Sequence, residues 1–129
     1  MPEDKPKMLP SSLRERKRYL VFKVLSEKPI DFKELANAVW FSALNFLGEL
    51  GASRAGIWFV KNLYNEKEKI GVIRCNHTYV EELRMSLALV KTIGDMNVTI
   101  KTLGVTGTIG SAKKKYLGIR TLADFGGTA

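Results

Sequence analysis

Hydrophobic positions in this chain switch between a period of two and a period near 3.6, and the switches divide it into elements. Arg18 to Ser26 (RYLVFKVLS) is rich in β-branched and aromatic residues and predicts a strand. Leu20, Phe22 and Val24 share one face of it; Tyr19, Val21, Lys23 and Leu25 share the other, more polar face. Glu27-Lys28-Pro29 ends the strand, and Asp31 with Glu34 three residues on predicts a capped helix start. Phe32, Leu35, Ala36, Val39, Ala43, Phe46, Leu47 and Leu50 then recur at helical spacing, with Gly48 and Gly51 marking the end. Trp40, Phe41 and Leu44 widen that stripe beyond what one sheet face covers at about 100° per residue. They predict a helix buried on more than one side, or one that meets a protein partner.

Arg54 to Leu63 predicts a second strand, Asn65-Glu66-Lys67 a hairpin tip, and Lys69 to Asn76 (KIGVIRCN) a third strand. Thr78 with Glu81 predicts the cap of a second helix, whose inner face is Val80, Leu83, Leu87, Ala88 and the stem of Lys91, and which Gly94 stops. Asn97 to Thr108 predicts a fourth strand and Ser111 to Leu117 a short basic helix. The order β-α-β-β-α-β is the split β-α-β pattern of an α+β, ferredoxin-like fold: a four-stranded antiparallel sheet with both helices on one face and the opposite face open. Three divisions are expected: a Pro-containing basic arm over 1–17, the folded domain over 18–117, and a tail over 118–129.

Charge changes the picture more than length does. The 129 residues carry a formal charge of +8 at a sequence pI near 9.7, which points to a polyanionic partner. Residues 1–18 hold six Lys/Arg against three Asp/Glu, and 97–129 hold five against one, so the excess lies toward the two ends. Arg14, Arg16, Lys17 and Arg18 precede the first strand, and Lys113, Lys114 and Lys115 follow the fourth. The first strand's start and the fourth strand's end are expected near opposite edges of the motif; the arm could fold back toward the lysines, which the sequence does not decide. Lys23 and Arg74 fall on the open face by simple alternation and suit phosphate contacts. The stretch Leu103–Lys115 (LGVTGTIGSAKKK) reads as a backbone-exposing turn beside a phosphate-attracting patch.

Catalytic chemistry is sparse. Cys75 is the single cysteine, so neither an intrachain disulfide nor a cysteine metal cluster is possible, and its apolar strand predicts a buried, inert thiol. His77 is the single histidine and reads as a strand-end residue that satisfies local backbone. No general acid–base pair or cysteine pair accompanies them, so neither a metal chaperone nor a nucleophilic hydrolase is indicated. The third strand has no aromatic residue for stacking bases; Tyr19 and Trp58 lie nearby, and packing accounts for Trp58 equally well. No apolar run approaches the roughly 20 residues of a membrane helix. The absence of glutamine, with 26% charged residues, points toward a thermophilic source, and a single cysteine fits a reducing cytoplasm.

Four segments carry a family resemblance: LRERKRYLVFKV, LGELGASRAGIWFV, IGVIRCNHTYVEELRMSLALV and GVTGTIGSAKKK. Their order and spacing resemble archaeal ribonuclease P protein component 2, related to a small eukaryotic nuclear ribonuclease P subunit, over residues 12–117. Arg14 with Arg18-Tyr19, Ile73-Arg74-Cys75 and Gly104-Val105-Thr106-Gly107-Thr108-Ile109 are the most specific parts. Thr106 stands where the family often has serine, which keeps the hydroxyl.

The resemblance implies a non-catalytic subunit of an RNA-based endoribonuclease that matures the 5′ end of precursor tRNA. It implies binding to the ribonuclease P RNA and to ribonuclease P protein component 3, alongside other ribonuclease P proteins, with precursor tRNA met indirectly. A homodimer within the assembly is compatible with it. No cofactor is expected on the protein; Mg²⁺ would serve the RNA. Trp40, Phe41 and Leu44 are the expected protein interface. Arg14, Arg16, Lys17, Arg18, Lys23, Arg74 and Lys113–Lys115 are the expected RNA contacts. Two other readings stay open at this point: a general RNA-binding or ribosome-assembly module, and a dimeric ligand-sensing domain, which has no need of basic arms.

Overall fold

In a computed structural model the chain is described over residues 16–118, with side-chain packing through Lys115. Arg14 and nearly all of the expected arm and tail lie outside the described residues. The element order is β1 (Lys17–Leu25), α1 (Phe32–Ala55), β2 (Trp58–Phe59), β3 (Ile70–Asn76), α2 (Val80–Ala88), β4 (Thr92–Ile93), β5 (Met96–Asn97), β6 (Thr99–Thr106) and α3 (Ile109–Ala112). The four-stranded sheet has the order β2-β3-β1-β6, antiparallel throughout, as the ferredoxin-like pattern requires.

The apolar face of β1 behaves as its alternation predicts. Leu20, Phe22 and Val24 are buried with Ile73 and Cys75 of β3 and Leu35, Val39, Leu83 and Leu87 of the helices. Asp31 caps α1, its carboxylate accepting from the Lys33 amide at 3.1 Å. The two helices are stitched by Ser42, whose hydroxyl donates to the Ser86 carbonyl at 2.6 Å, and the small buried Ser86 makes that approach possible. Gly71 plays a similar part in the sheet. A Cβ there would stand 2.7 Å from Phe22 Cζ and 3.0 Å from Tyr64 Cδ1, so the missing side chain is the space those rings occupy.

Several expectations are corrected. Gly48 breaks α1 (φ 78, ψ 170) but does not end it; helix resumes to Ala55 and closes at Gly56, φ 62. The break resets the helical phase, so Ala52 and Ala55 point inward while Leu50, expected inside, is exposed; Phe46, before the break and also expected inside, is exposed as well. Arg54 and Ala55 therefore belong to helix, and β2 is only two residues long. Thr78 caps nothing: a 3-10 turn over His77–Tyr79 leads into α2, which has no side-chain cap. α2 ends at Ala88, itself exposed, and the inward side is completed by Ser86 and Val90. Gly94 (φ 62) sits instead at the tip of a small β4–β5 ribbon, and the fourth sheet strand starts at Thr99 rather than Asn97.

The second sheet face is not open along its length. Val21, Ile70 and Val72 form a smaller core there with Ala112 of α3, flanked by Tyr19, Val60, Leu63 and Leu103. The expected basic helix at 111–117 is a four-residue α3 followed by a π-helical stretch, Lys113–Gly118. Its one small apolar side chain, Ala112, lets the backbone lie close on the sheet.

Candidate nucleic-acid interface

The register of the sheet decides which charged residues meet. Tyr19 near the start of β1 pairs with Thr106 at the end of β6. The strand ends that the two basic segments flank are thus neighbours, not at opposite edges as expected, because β6 lies next to β1 in the sheet. Arg16 is exposed, and so are Lys113, Lys114 and Lys115. Lys17 is half-buried, and its ammonium donates to the Asn76 side-chain oxygen. Arg18 turns its guanidinium back onto the Lys17 carbonyl at 2.9 Å. Of the basic residues gathered at this end, Arg16 and the three lysines present the freest charge.

Lys23 and Arg74 do share the face predicted for them, but they lie far apart. Lys23 sits four positions along β1 from Tyr19, about 13 Å away, and donates to the Glu68 carbonyl at 3.1 Å, so it anchors the β3 hairpin. Arg74 pairs in register with Tyr19 on one side and with Trp58 on the other. Its guanidinium carbon is 5.6 Å from the centre of the Trp58 ring.

The Thr106–Ser111 turn, expected to expose its backbone beside a phosphate-attracting patch, spends several of its polar groups on itself. The Thr106 hydroxyl donates to the Thr108 carbonyl at 2.9 Å, and the Thr108 hydroxyl accepts from the Ser111 amide at 3.0 Å. The Ala112 amide reaches the Thr108 carbonyl at 3.1 Å. These groups are used in holding the turn, and what the turn delivers to the surface is the lysine run behind it.

Asn76 is a residue that sequence reasoning passed over. It is buried, receives Lys17, and donates to the Arg54 carbonyl at 2.6 Å. Its amide also fills the space where a Gly56 Cβ would lie, 3.1 Å from Oδ1. One side chain thereby ties the end of α1, the turn that leads to Trp58, and the start of β1. An asparagine at a strand end is a common loop residue, so nothing in the sequence distinguished it.

The remaining candidates are structural. His77 donates its backbone amide to the Arg16 carbonyl at 2.8 Å, and its Nδ1 lies 3.3 Å from the same oxygen, as a strand-end role predicts. Cys75 is fully buried, and burial pushes its thiol from an ordinary 9.0 up to about 11. Burial, then the nearby carboxylates of Glu66 and Asp31, pushes the Tyr64 phenol from 10.0 to about 12, while it donates to the Ile30 carbonyl at 2.7 Å. Both groups are held protonated by folding. Their stabilisation is whole below about pH 9 and is lost as the pH rises through their folded values. Denaturant titrations between pH 8 and 11 should show stability falling with pH, and falling less steeply in Cys75→Ala. Equal slopes in the two proteins would exclude the thiol as a cause.

On the outer helical side, Phe41 is 63% exposed and Trp40 38%, whereas Leu44 is half-buried. Phe41 borders a shallow open groove with Ala38, Leu89 and Thr92. Met85 and Leu89 of the α2 side are exposed as well. Among the described residues, no helix is long and apolar enough to cross a membrane.

Comparison with known proteins agrees with this architecture. The family model described as "Rpp14/Pop5 family" matches residues 18–117. The chain belongs to the Rpp14/Pop5 family. Its relatives include ribonuclease P protein component 2 of Thermococcus kodakarensis, 43% identical over 88% of this chain and 93% of the relative. The protein of the same name from Thermococcus gammatolerans is 41% identical over 95% of this chain and 97% of its own length. That from Methanocaldococcus jannaschii is 37% identical over 88% and 82%. A chain in the cryo-EM structure of yeast ribonuclease MRP shares the fold, with a TM-score of 0.57 at 13% identity over 89% of this chain and 95% of that one. The Rpp14/Pop5 match begins at Arg18 and ends within the π-helical stretch, so it takes in most of β1, Arg74, Trp58 and the three lysines together.

Proposed function

We propose that this protein is a non-catalytic subunit of ribonuclease P that binds the enzyme's RNA and a partner protein in support of 5′ maturation of precursor tRNA. The observation that carries the reading is the set of archaeal relatives named ribonuclease P protein component 2, matched over 88% to 95% of this chain. The charge supports it. Arg16 precedes β1 and Lys113–Lys115 follow β6, strands whose ends are neighbours in the sheet, and all four are exposed, which suits the phosphate backbone of a folded RNA. Arg14, two residues before Arg16 and outside the described residues, belongs to the same basic segment. Lys17, Arg18 and Lys23 contribute field here more than direct contact, since their ammonium or guanidinium groups already have protein acceptors.

The protein-facing side in this reading is the outer helical layer. Phe41 and Trp40, with the half-buried Leu44, present apolar surface that ribonuclease P protein component 3, other protein subunits or a second copy of this chain would cover. The catalytic metal, Mg²⁺, is assigned to the RNA.

The test is reconstitution. The ribonuclease P RNA and component 3, with precursor tRNA and Mg²⁺, are assayed with and without this chain. Adding the chain should raise specific 5′ cleavage or lower the Mg²⁺ demand, and a rigorously RNA-free preparation should leave the precursor intact. Cleavage by the RNA-free protein would overturn the non-catalytic assignment. Co-purification of ribosomal RNA in place of ribonuclease P RNA would replace it with a general RNA-binding role.

A further inference from the structure

The pairing of four strands places Trp58, Arg74, Tyr19 and Thr106 in one row across the sheet, all on the face away from the two long helices. The middle of that face is closed by Ala112 and Leu63 over Val21 and Val72, Tyr19 packs against that small core and Thr106 is buried, so the row comes to the surface at its Trp58 end. Trp58 is 60% exposed, and it stands on a two-residue strand with no further strand beyond it among the described residues.

Arg74 is the unusual member. It is half-buried between Trp58 and Tyr19, and its Nε is buried with no hydrogen-bond partner among the described residues. Its guanidinium lies instead against the face of the Trp58 ring. A guanidinium drawn into a sheet is ordinarily met by a carboxylate or a carbonyl, because an unpaired cation loses its hydration without return. The row contains no carboxylate. A planar cation is held against an exposed indole, and its buried Nε is left without an acceptor.

Resting on the RNA-binding reading above, we propose that Trp58 and Arg74 form a stacking site for one unpaired nucleotide of RNA. The base lies on the indole, and the guanidinium donates to that nucleotide's phosphate. Single-stranded RNA supplies both features, a π-face and an anion one nucleotide apart, and aromatic and arginine planes are the surfaces on which unpaired bases stack. Positive charge at Arg16 and Lys113–Lys115 draws the same polyanion to this end of the sheet. Asn76 is a positioning residue for the site, since it fixes the turn that presents Trp58.

The chain has two tryptophans, so Trp40→Phe leaves Trp58 as the single indole reporter. In that background, the full chain is titrated with a short unstructured oligoribonucleotide and with a duplex RNA of equal length, across a range of salt. The single strand should change Trp58 fluorescence. Replacing Trp58 by alanine should weaken single-strand binding by about 5- to 150-fold with the salt slope unchanged, because stacking releases no counterions. Trp58→Phe should recover much of the loss. Arg74→Lys, which keeps the charge and loses the plane, should weaken single-strand binding at constant slope, and duplex binding should not follow either change. If Trp58→Ala and Trp58→Phe, folded by circular dichroism, bind the single strand as tightly as the parent, the stacking site is overturned while RNA binding stands. If the lysines' replacement also changes nothing and no form binds RNA at low salt, the RNA-binding reading itself fails.

Discussion

Replacing Lys113, Lys114 and Lys115 together by alanine should reduce the salt slope of RNA binding by roughly 2–3 units, about 0.7–0.9 for each phosphate that a lysine no longer neutralises. All three side chains are exposed, and no hydrogen bond or ion pair ties them to another described residue. The helical turn they occupy is anchored through Ala112 against Val21 and Val72, and through the Thr108 cap, neither of which the substitution touches. Alanine is also the better helix former, so the fold should be unaffected. The weakening should be uniform across RNA sequences, because phosphate recognition carries no base information. Binding isotherms at several salt concentrations give the slope directly. A slope equal to that of the parent protein, with the circular dichroism spectrum intact, would make the run a solvated surface and move the RNA to Arg14, Arg16 and the sheet end.

The second large effect is expected in the core. Gly71→Val should cost about 3 kcal/mol of stability, the upper part of the usual range for overpacking. The new Cβ would meet Phe22 Cζ at 2.7 Å and Tyr64 Cδ1 at 3.0 Å. Neither ring can withdraw freely. Phe22 is buried among the helices, and Tyr64 is pinned by its bond to the Ile30 carbonyl and by its packing on the Phe32 ring, 5.8 Å between centres. Thermal unfolding should register a drop of about 10–20 °C for a domain of this size. Gly107→Val serves as the control, since a Cβ there meets nothing within 4 Å. Equal midpoints for Gly71→Val and the parent would mean the rings repack, and the tight fit would not be what requires glycine.

Local chemistry in the sequence was enough for β1, β3, the Asp31 cap and the β-α-β-β-α-β order, because each rests on a short run of residues with one strong period. What escaped it depended on partners distant in the chain. Ile70 and Val72 share the strand face of Arg74, and Val21 that of Lys23, so nothing local says that Ala112, in a run of lysines, covers them. The β4–β5 ribbon spans too few residues for any period to show. Gly48 and Gly94 both adopt positive φ, yet one interrupts a helix and the other turns a ribbon, and a glycine in sequence does not say which. The candidate site was half legible. Its basic residues were visible as charge, but the placement of Trp58 beside Arg74, and of β6 beside β1, exists only once the strands are in register.

That last adjacency bears on stability as well as on recognition. Some ninety-five residues separate Arg16–Arg18 from Lys113–Lys115 along the chain, and folding makes neighbours of the strand ends that they flank. A polyanion that spans both therefore engages the native chain bivalently and the unfolded chain one segment at a time. The second segment is engaged at an effective concentration set by the sheet, which for short separations is in the millimolar range. By mass action such a ligand draws the population toward the native state, by RT ln(1 + [L]/Kd) when the unfolded chain has no affinity of its own. An RNA bound in this way would act as a folding cofactor: the midpoint of unfolding should rise with RNA concentration, and the increment should shrink as salt loosens either of the two segments.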